Sequence, residues 1–372
     1  MVPRLACLLS LALTSCAALT TIDPQPRTKV QAGPVPVAGT PLFDWKGIVH
    51  CHSHFSHDSD GQLDEILAAC DECGIRFVAM TDHQTEASVR DGVRGMRGHT
   101  LFLVGAEVRA PQGTLLAFPL LRPLRRWQHV ALLAKEAAAQ GALTFVCHAE
   151  TWHAPWDIAE LTGAEIVNLH AGAMTRGYGG SLATALFLPL RSLLERICVR
   201  DAKVLAEWDR QLVKGLPYAP VGGADAHANV QVFGPLGGTV GSYREVFSTL
   251  STHVLAERLD EASIVDAFRR GRSYVSFDIF GEGTGFDFRA ERGAEVVLVG
   301  DEIATGPTVR LRVTAPAAGH IRLFRDGAPA DERTGRELVV EAPAAGIYRV
   351  EVETTNGDPW LFSSSIRVVD PR

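Results

Sequence analysis

Residues 47–61 read Gly-Ile-Val-His-Cys-His-Ser-His-Phe-Ser-His-Asp-Ser-Asp-Gly, which places His50 and His52 two apart behind the apolar pair Ile48 and Val49. On a β-strand, that spacing turns both imidazoles to one face at the strand's end. Two neutral imidazoles so placed make half of a metal site, although a polar loop with water-facing histidines accounts for them equally well. The rest of the chain weighs against the loop. Residues 77–80 lead into Asp82 and His83, 102–106 into Glu107, 143–147 into His148, 166–169 into His170, and 221–224 into Asp225 and His227. Carboxylates and imidazoles at the C-terminal ends of successive strands meet at one mouth when the strands form a parallel barrel.

The elements that must position these residues follow from apolar spacing. A helical period runs over residues 63–73, 85–97, 130–140 and 262–270, across 181–214, and more weakly over 156–161. Strands are expected at 76–80, 101–108, 114–120, 143–148, 165–169, 217–223 and 273–278. Alternating strands and helices between 47 and 278 imply about seven parallel β/α units. After Gly281 the period changes to two, as in Val309/Leu311/Val313 and Tyr348/Val350/Val352, with Asp326-Gly327 and Asn356-Gly357 as tight turns. The expected architecture is α/β: a distorted (β/α)7 barrel over residues 44–280, then a small antiparallel β-sandwich over 281–372 that carries no ligand cluster.

At 372 residues the chain is long enough for one large and one small domain. Its net charge of −7 gives no reason to expect nucleic acid as a partner. The basic cluster at 122–126 reads as a solvated loop. Residues 1–16 read as an export signal: Arg4, then the short apolar run 5–13, too short to span a bilayer. Leu13-Thr-Ser-Cys16 resembles the bacterial lipobox, so Cys16 is the expected lipidation site, anchoring the protein to a membrane. Ala17, in place of Asp, points to the outer membrane, facing the periplasm. The tether 17–43 contains Pro24, Pro26, Pro34, Pro36 and Pro41. Five cysteines follow the signal, so at least one is unpaired. Cys70 and Cys73 share an apolar helix face, whereas Cys51 and Cys147 alternate with the proposed ligands and should point away.

Over roughly residues 45–278 the chain resembles the PHP (polymerase and histidinol phosphatase) superfamily of metal-dependent hydrolases. The family's first motif is matched by His50, His52, Ser56 and Asp58. Its Thr-Asp-His motif is matched by Thr81, Asp82 and His83, and its single Glu by Glu107. Its lone histidines correspond to His148 and His170, and its Asp-x-His to Asp225 and His227. His54 paired with His52, and His57 in place of Asp58, form an alternative register. The resemblance implies a distorted seven-stranded barrel and nine metal ligands: His50, His52, Asp58, His83, Glu107, His148, His170, Asp225 and His227. Such a set suits two or three divalent transition-metal ions (Zn, Mn or Fe). Ions held this way supply an activated water at neutral pH. The expected function is a phosphoesterase acting on a small anionic ester. A carbamate or carboxyl ester hydrolase, or a non-catalytic metal-binding barrel, is the alternative. Asp82 is the candidate proton donor and Arg176 the candidate substrate-binding residue. Residues 346–352 and 359–363 are similar to a PHP subgroup named for the carbamate-insecticide hydrolases CehA and McbA.

Overall fold

The computed structural model describes residues 34–176, 190–227, 230–231 and 239–371. The signal with Cys16, most of the proline-rich tether and residues 181–189 of the expected helical stretch lie outside the described residues. Around the site the strands are, in chain order, β1 (Phe43–Cys51), β2 (Phe77–Met80), β3 (Thr100–Val104), β4 (Ala106–Ala110), β5 (Gly113–Phe118), β6 (Leu143–Cys147), β7 (Gly163–Asn168) and β8 (Ala219–Ala226). β1 is buried along all but its first residue and pairs in parallel with both β2 and β8. Parallel pairing continues from β2 to β3, and from β8 through β7 to β6. β4 and β5 extend this order, because β5 is antiparallel to both β4 and β6.

The single expected strand 101–108 is therefore two strands, broken at Gly105. A Cβ on Gly105 would collide with the carbonyl of Ala117 and the side chain of Phe118, so only glycine lets the chain pass this close to β5. A second departure from an all-parallel order is β9 (Ser251–Ala256), antiparallel to β1 and to β10 (Ser273–Ser276). The polar run Ser251-Thr252-His253 hides β9 from a period-two search, yet all three residues are buried. Thr252 accepts a hydrogen bond from Gly222 N, and Ser251 donates to Asp278.

The helices are α1 (Leu63–Cys73), α2 (Glu86–Arg90), α3 (Val130–Ala138), α4 (Leu169–Arg176), α5 (Leu190–Ile197), α6 (Ala202–Val213), α7 (Tyr243–Phe247) and α8 (Glu261–Arg269). α1 buries Ile66, Ala69, Cys70 and Cys73 and stops at Gly74, which adopts φ 69°. The helix expected over 85–97 shrinks to α2, because Gly92 and Gly95 follow and Gly95 takes φ 75° at the start of a short strand. No helix forms over 156–161.

Beyond residue 281 the pairing is antiparallel, save that Glu302–Ala304 runs parallel to residues 367–369. β11 (Asp287–Arg292) pairs with β12 (Arg310–Arg325), and β12 lies between β13 (Ala328–Glu341) and β14 (Gly346–Thr354). β14 pairs in turn with β15 (Pro359–Val369). Asp326 and Gly327 link β12 to β13, with φ 51° and 78° as a two-residue type I′ turn requires. The sheet does not stop at the expected boundary near 281: β15 also pairs with β10, joining both regions in one sheet. Leu42, Leu255 and Tyr274 share a core with Val350, Trp360 and Ile366.

Candidate metal centre

Three of the expected ligands are held where L-residues seldom sit. His50, His148 and Asp225 have φ of 69°, 48° and 49°. Such strain persists where surrounding structure over-determines it, which happens most often at functional sites. The pairing register of β1 skips here too, between Val49 and Cys51 against β2 and between Gly223 and Ala226 against β8. Regular alternation therefore does not aim His50 and His52, as the sequence spacing implied. A left-handed kink at His50 does, and their Nε2 atoms end 3.1 Å apart.

Glu107 and Asp225 stand between the imidazoles. Glu107 Oε2 lies 3.0 Å from His83 Nδ1, 3.5 Å from His52 Nε2 and 3.7 Å from His50 Nε2, while its Oε1 is 3.6 Å from His148 Nε2. Asp225 Oδ1 is 3.2 Å from His50 Nε2, and its Oδ2 is 3.2 Å from His170 Nδ1 and 3.7 Å from His148 Nε2. On the outer side Asp58 Oδ2 is 3.0 Å from His83 Nε2 and 3.5 Å from His227 Nε2, and the His227 ring stacks on His52 at 4.0 Å. Ligand-capable atoms thus gather in overlapping groups: His52, Asp58, His83 and His227; His50, His52 and Asp225; and His50, Glu107, Cys147 and His148. This His/Glu/Asp cluster is compatible with a metal site. His170 meets it through Asp225 and edge-on against the His148 ring, from the first turn of α4, since β7 ends at Asn168.

Cys147 corrects one expectation. It was to point away from the ligands, yet its Sγ lies 3.8 Å from His50 Nδ1, because the left-handed turn at His148 ends the alternation there. His54 is exposed and packs on Phe55, and the His57 side chain is 73 % exposed, 4.0 Å from Asp58. Arg176 closes α4, and its side chain lies outside the described residues. The Asp82 carboxylate is turned to Ser53: Oδ1 accepts from the backbone N–H at 2.6 Å and from the hydroxyl at 3.0 Å. In that position it holds the chain between His52 and His54.

A residue that motif reading overlooked is Glu165. It is buried in the middle of β7, and with His50 Nε2 turned to the cluster, Nδ1–H donates to Glu165 Oε1 at 2.6 Å. Its other oxygen accepts from His148 N and Asn168 Nδ2. A Cβ on Gly223 would strike this carboxylate, so glycine makes its room. The one sequence signal was a lone acidic residue inside an apolar strand. Ser56 serves His52 similarly, its Oγ 2.9 Å from Nδ1 while accepting from His83 N. Partners of this kind fix ring orientation and tautomer. Glu165→Ala is expected to weaken metal binding about 10–100-fold, read by chelator competition. Unchanged affinity would remove Glu165 from the centre's design.

Charge within the centre is balanced by protons wherever cations are not. Burial alone would pull the His50 imidazole down, but Asp225, Cys147 and Glu165 outweigh it and hold it well above the usual histidine range. His148 is raised too, its burial outweighed by Cys147, Glu107 and Glu150. His52 moves the other way, lowered by burial and by its neighbours His50 and His227 despite Asp225. Burial would push Glu107 and Asp225 up, yet the surrounding imidazoles keep both well below the usual carboxylate range.

A family model described as PHP domain matches residues 49–179, a stretch that includes His50, His52, Asp58, His83, Glu107, His148 and His170. No curated protein matches the chain. Among solved structures, it is similar to a two-domain protein from Bacteroides vulgatus described as containing a predicted PHP-like metal-dependent phosphoesterase. That similarity has 16% identity and a TM-score of 0.44, covering 92% of this chain and 100% of the other.

Proposed function

We propose that this protein is a metal-dependent hydrolase of phosphate esters, with two or three divalent ions (Zn, Mn or Fe) held by His50, His52, Asp58, His83, Glu107, His148, His170, Asp225 and His227. The observation that carries this reading is the convergence of the His50 and His52 Nε2 atoms on Glu107 and Asp225. Buried imidazoles and carboxylates packed this closely need cationic charge between them, and the nitrogen–oxygen donor set suits borderline transition metals. Bound ions would lower the pKa of water and offset charge on a phosphoryl oxygen. The protein's part is positional. Glu165 and Ser56 keep the far nitrogens of His50 and His52 engaged, so that Nε2 of each faces Glu107 and Asp225. Tyr243 donates to the His52 carbonyl at 2.6 Å, and Asp82 anchors Ser53, which together fix the loop that carries Asp58. The test is a panel of phosphomonoesters, phosphodiesters and carboxyl or carbamate esters, assayed with Mn and Zn. Turnover of phosphate esters that a chelator abolishes is expected; turnover of carboxyl or carbamate esters alone would replace this reading with the alternative.

We further propose export and lipid anchoring through Cys16, supported by the Leu13-Thr-Ser-Cys16 box behind a short apolar run. Full-length protein should fractionate with membranes and resist a high-salt wash, and Cys16→Ser should release it or leave it unprocessed. Mature wild-type protein recovered soluble with an unmodified N-terminus would overturn the anchor.

A further inference from the structure

The basic loop between β5 and α3, expected to be merely solvated, is clamped to the rim of the centre. Gln84 follows the ligand-position residue His83, and its side chain exchanges two hydrogen bonds with the backbone of Leu124: Nε2 donates to the carbonyl at 2.6 Å and Oε1 accepts from the N–H at 2.8 Å. Arg126 then donates to the Gln84 carbonyl. Given standard backbone dimensions, this bond keeps the guanidinium within about 9 Å of the His83 Cα. A guanidinium has five N–H donors, and that carbonyl is the one acceptor Arg126 meets among the described residues; no carboxylate there neutralises it. Its neighbour Arg125 is turned outward to Glu136. Trp127 is 88% exposed and takes φ 62°, a left-handed conformation that bulky residues rarely adopt. A positive charge with no carboxylate partner among the described residues, on a chain of net charge −7, thus comes one residue before an exposed indole, on a loop bonded to the residue after His83.

We propose that Arg126 and Trp127 form a substrate subsite, the guanidinium taking negative charge and the indole stacking on a planar leaving group, so that aromatic phosphate esters are preferred over alkyl ones. This rests on the phosphoesterase reading above and deepens it. An exposed aromatic face stacks on planar rings of many kinds, and arginine pairs with phosphate oxygens in a fork geometry.

The experiment compares phenyl phosphate with methyl phosphate on the full-length, metal-loaded protein and on W127A and R126Q, with phenylphosphonate and methylphosphonate titrated calorimetrically as unreactive probes. Trp127→Ala should raise KM for phenyl phosphate about tenfold while leaving kcat, metal content and methyl phosphate kinetics unchanged, as stacking losses of this kind do. Arg126→Gln should raise KM for both esters. The phosphonates should show the same preference in binding, lost in W127A. Turnover with no phenyl preference, or with a preference that W127A keeps, would overturn the subsite and leave the phosphoesterase reading standing. Tighter phenylphosphonate binding without turnover of any phosphate ester would do the reverse. Binding to phosphatidylglycerol vesicles that W127A abolishes, with no phenyl preference, would also overturn the subsite and reassign the loop to a lipid surface.

Discussion

Glu107→Ala is expected to empty the centre of metal and abolish hydrolysis, an effect well beyond the ~10–100-fold cost of losing a residue that merely orients a ligand. The reason is position: Glu107 lies within 3.7 Å of ring nitrogens from His50, His52, His83 and His148, so its removal leaves four imidazoles without their shared carboxylate. Asp225→Ala should behave alike. Proton linkage gives a second readout. Because His50 and His148 are raised above the usual histidine range, each carries a proton at neutral pH when no metal is bound. Metal must displace those protons, so uptake should release protons and its affinity should fall as pH falls. Calorimetry in two buffers of different ionisation enthalpy measures the release, and elemental analysis measures the metal. A Glu107→Ala protein with full metal content would show that the ions sit elsewhere.

Arg349→Ala should destabilise the fold by at least about 3 kcal/mol, the lower end for removing one partner of a buried ion pair. The guanidinium is buried between the rings of Trp208 and Phe324, with its centre 5.2 and 4.3 Å from theirs. It bonds Asp209 on α6 and, at 2.7 Å, Glu351 on β14. Removing it leaves two carboxylates facing each other, with Glu351 still held by Arg200. Against a typical total of about 5–15 kcal/mol, that loss is large. Arg310→Ala is the control: its pair with Glu341 is solvent-exposed and should contribute less than about 1 kcal/mol. Urea midpoints at fixed metal concentration decide it. If both substitutions moved the midpoint equally, the arginine would not be fastening the β-rich region to α6.

How much was legible beforehand depended on whether a residue's role is written in its neighbours. His50, His52, Asp82, His83, Glu107, His148, Asp225 and His227 stood out because each ends or closely follows an apolar run, and local sequence records a strand's end. The change to period two after Gly281 was visible for the same reason, as was Asp326-Gly327 as a hairpin turn. Glu165 could not be read this way: it lies mid-strand, and its partner His50 is 115 residues away. β9 escaped because its polar residues meet partners brought from β1, β8, β10 and Asp278, so no local pattern distinguishes them from a loop. Spacing alone suggested that His50 and His52 share a face, but the tertiary structure achieves this by another route, a left-handed residue and a register skip. Arg126 likewise read as a solvated charge until Gln84 was seen to hold its loop beside His83. The ligand types belong to the sequence. Their convergence, the tautomers their outer partners impose and the joining of the two regions through β10, β15 and Arg349 are set by contacts between residues far apart in the chain, which only the folded structure brings together.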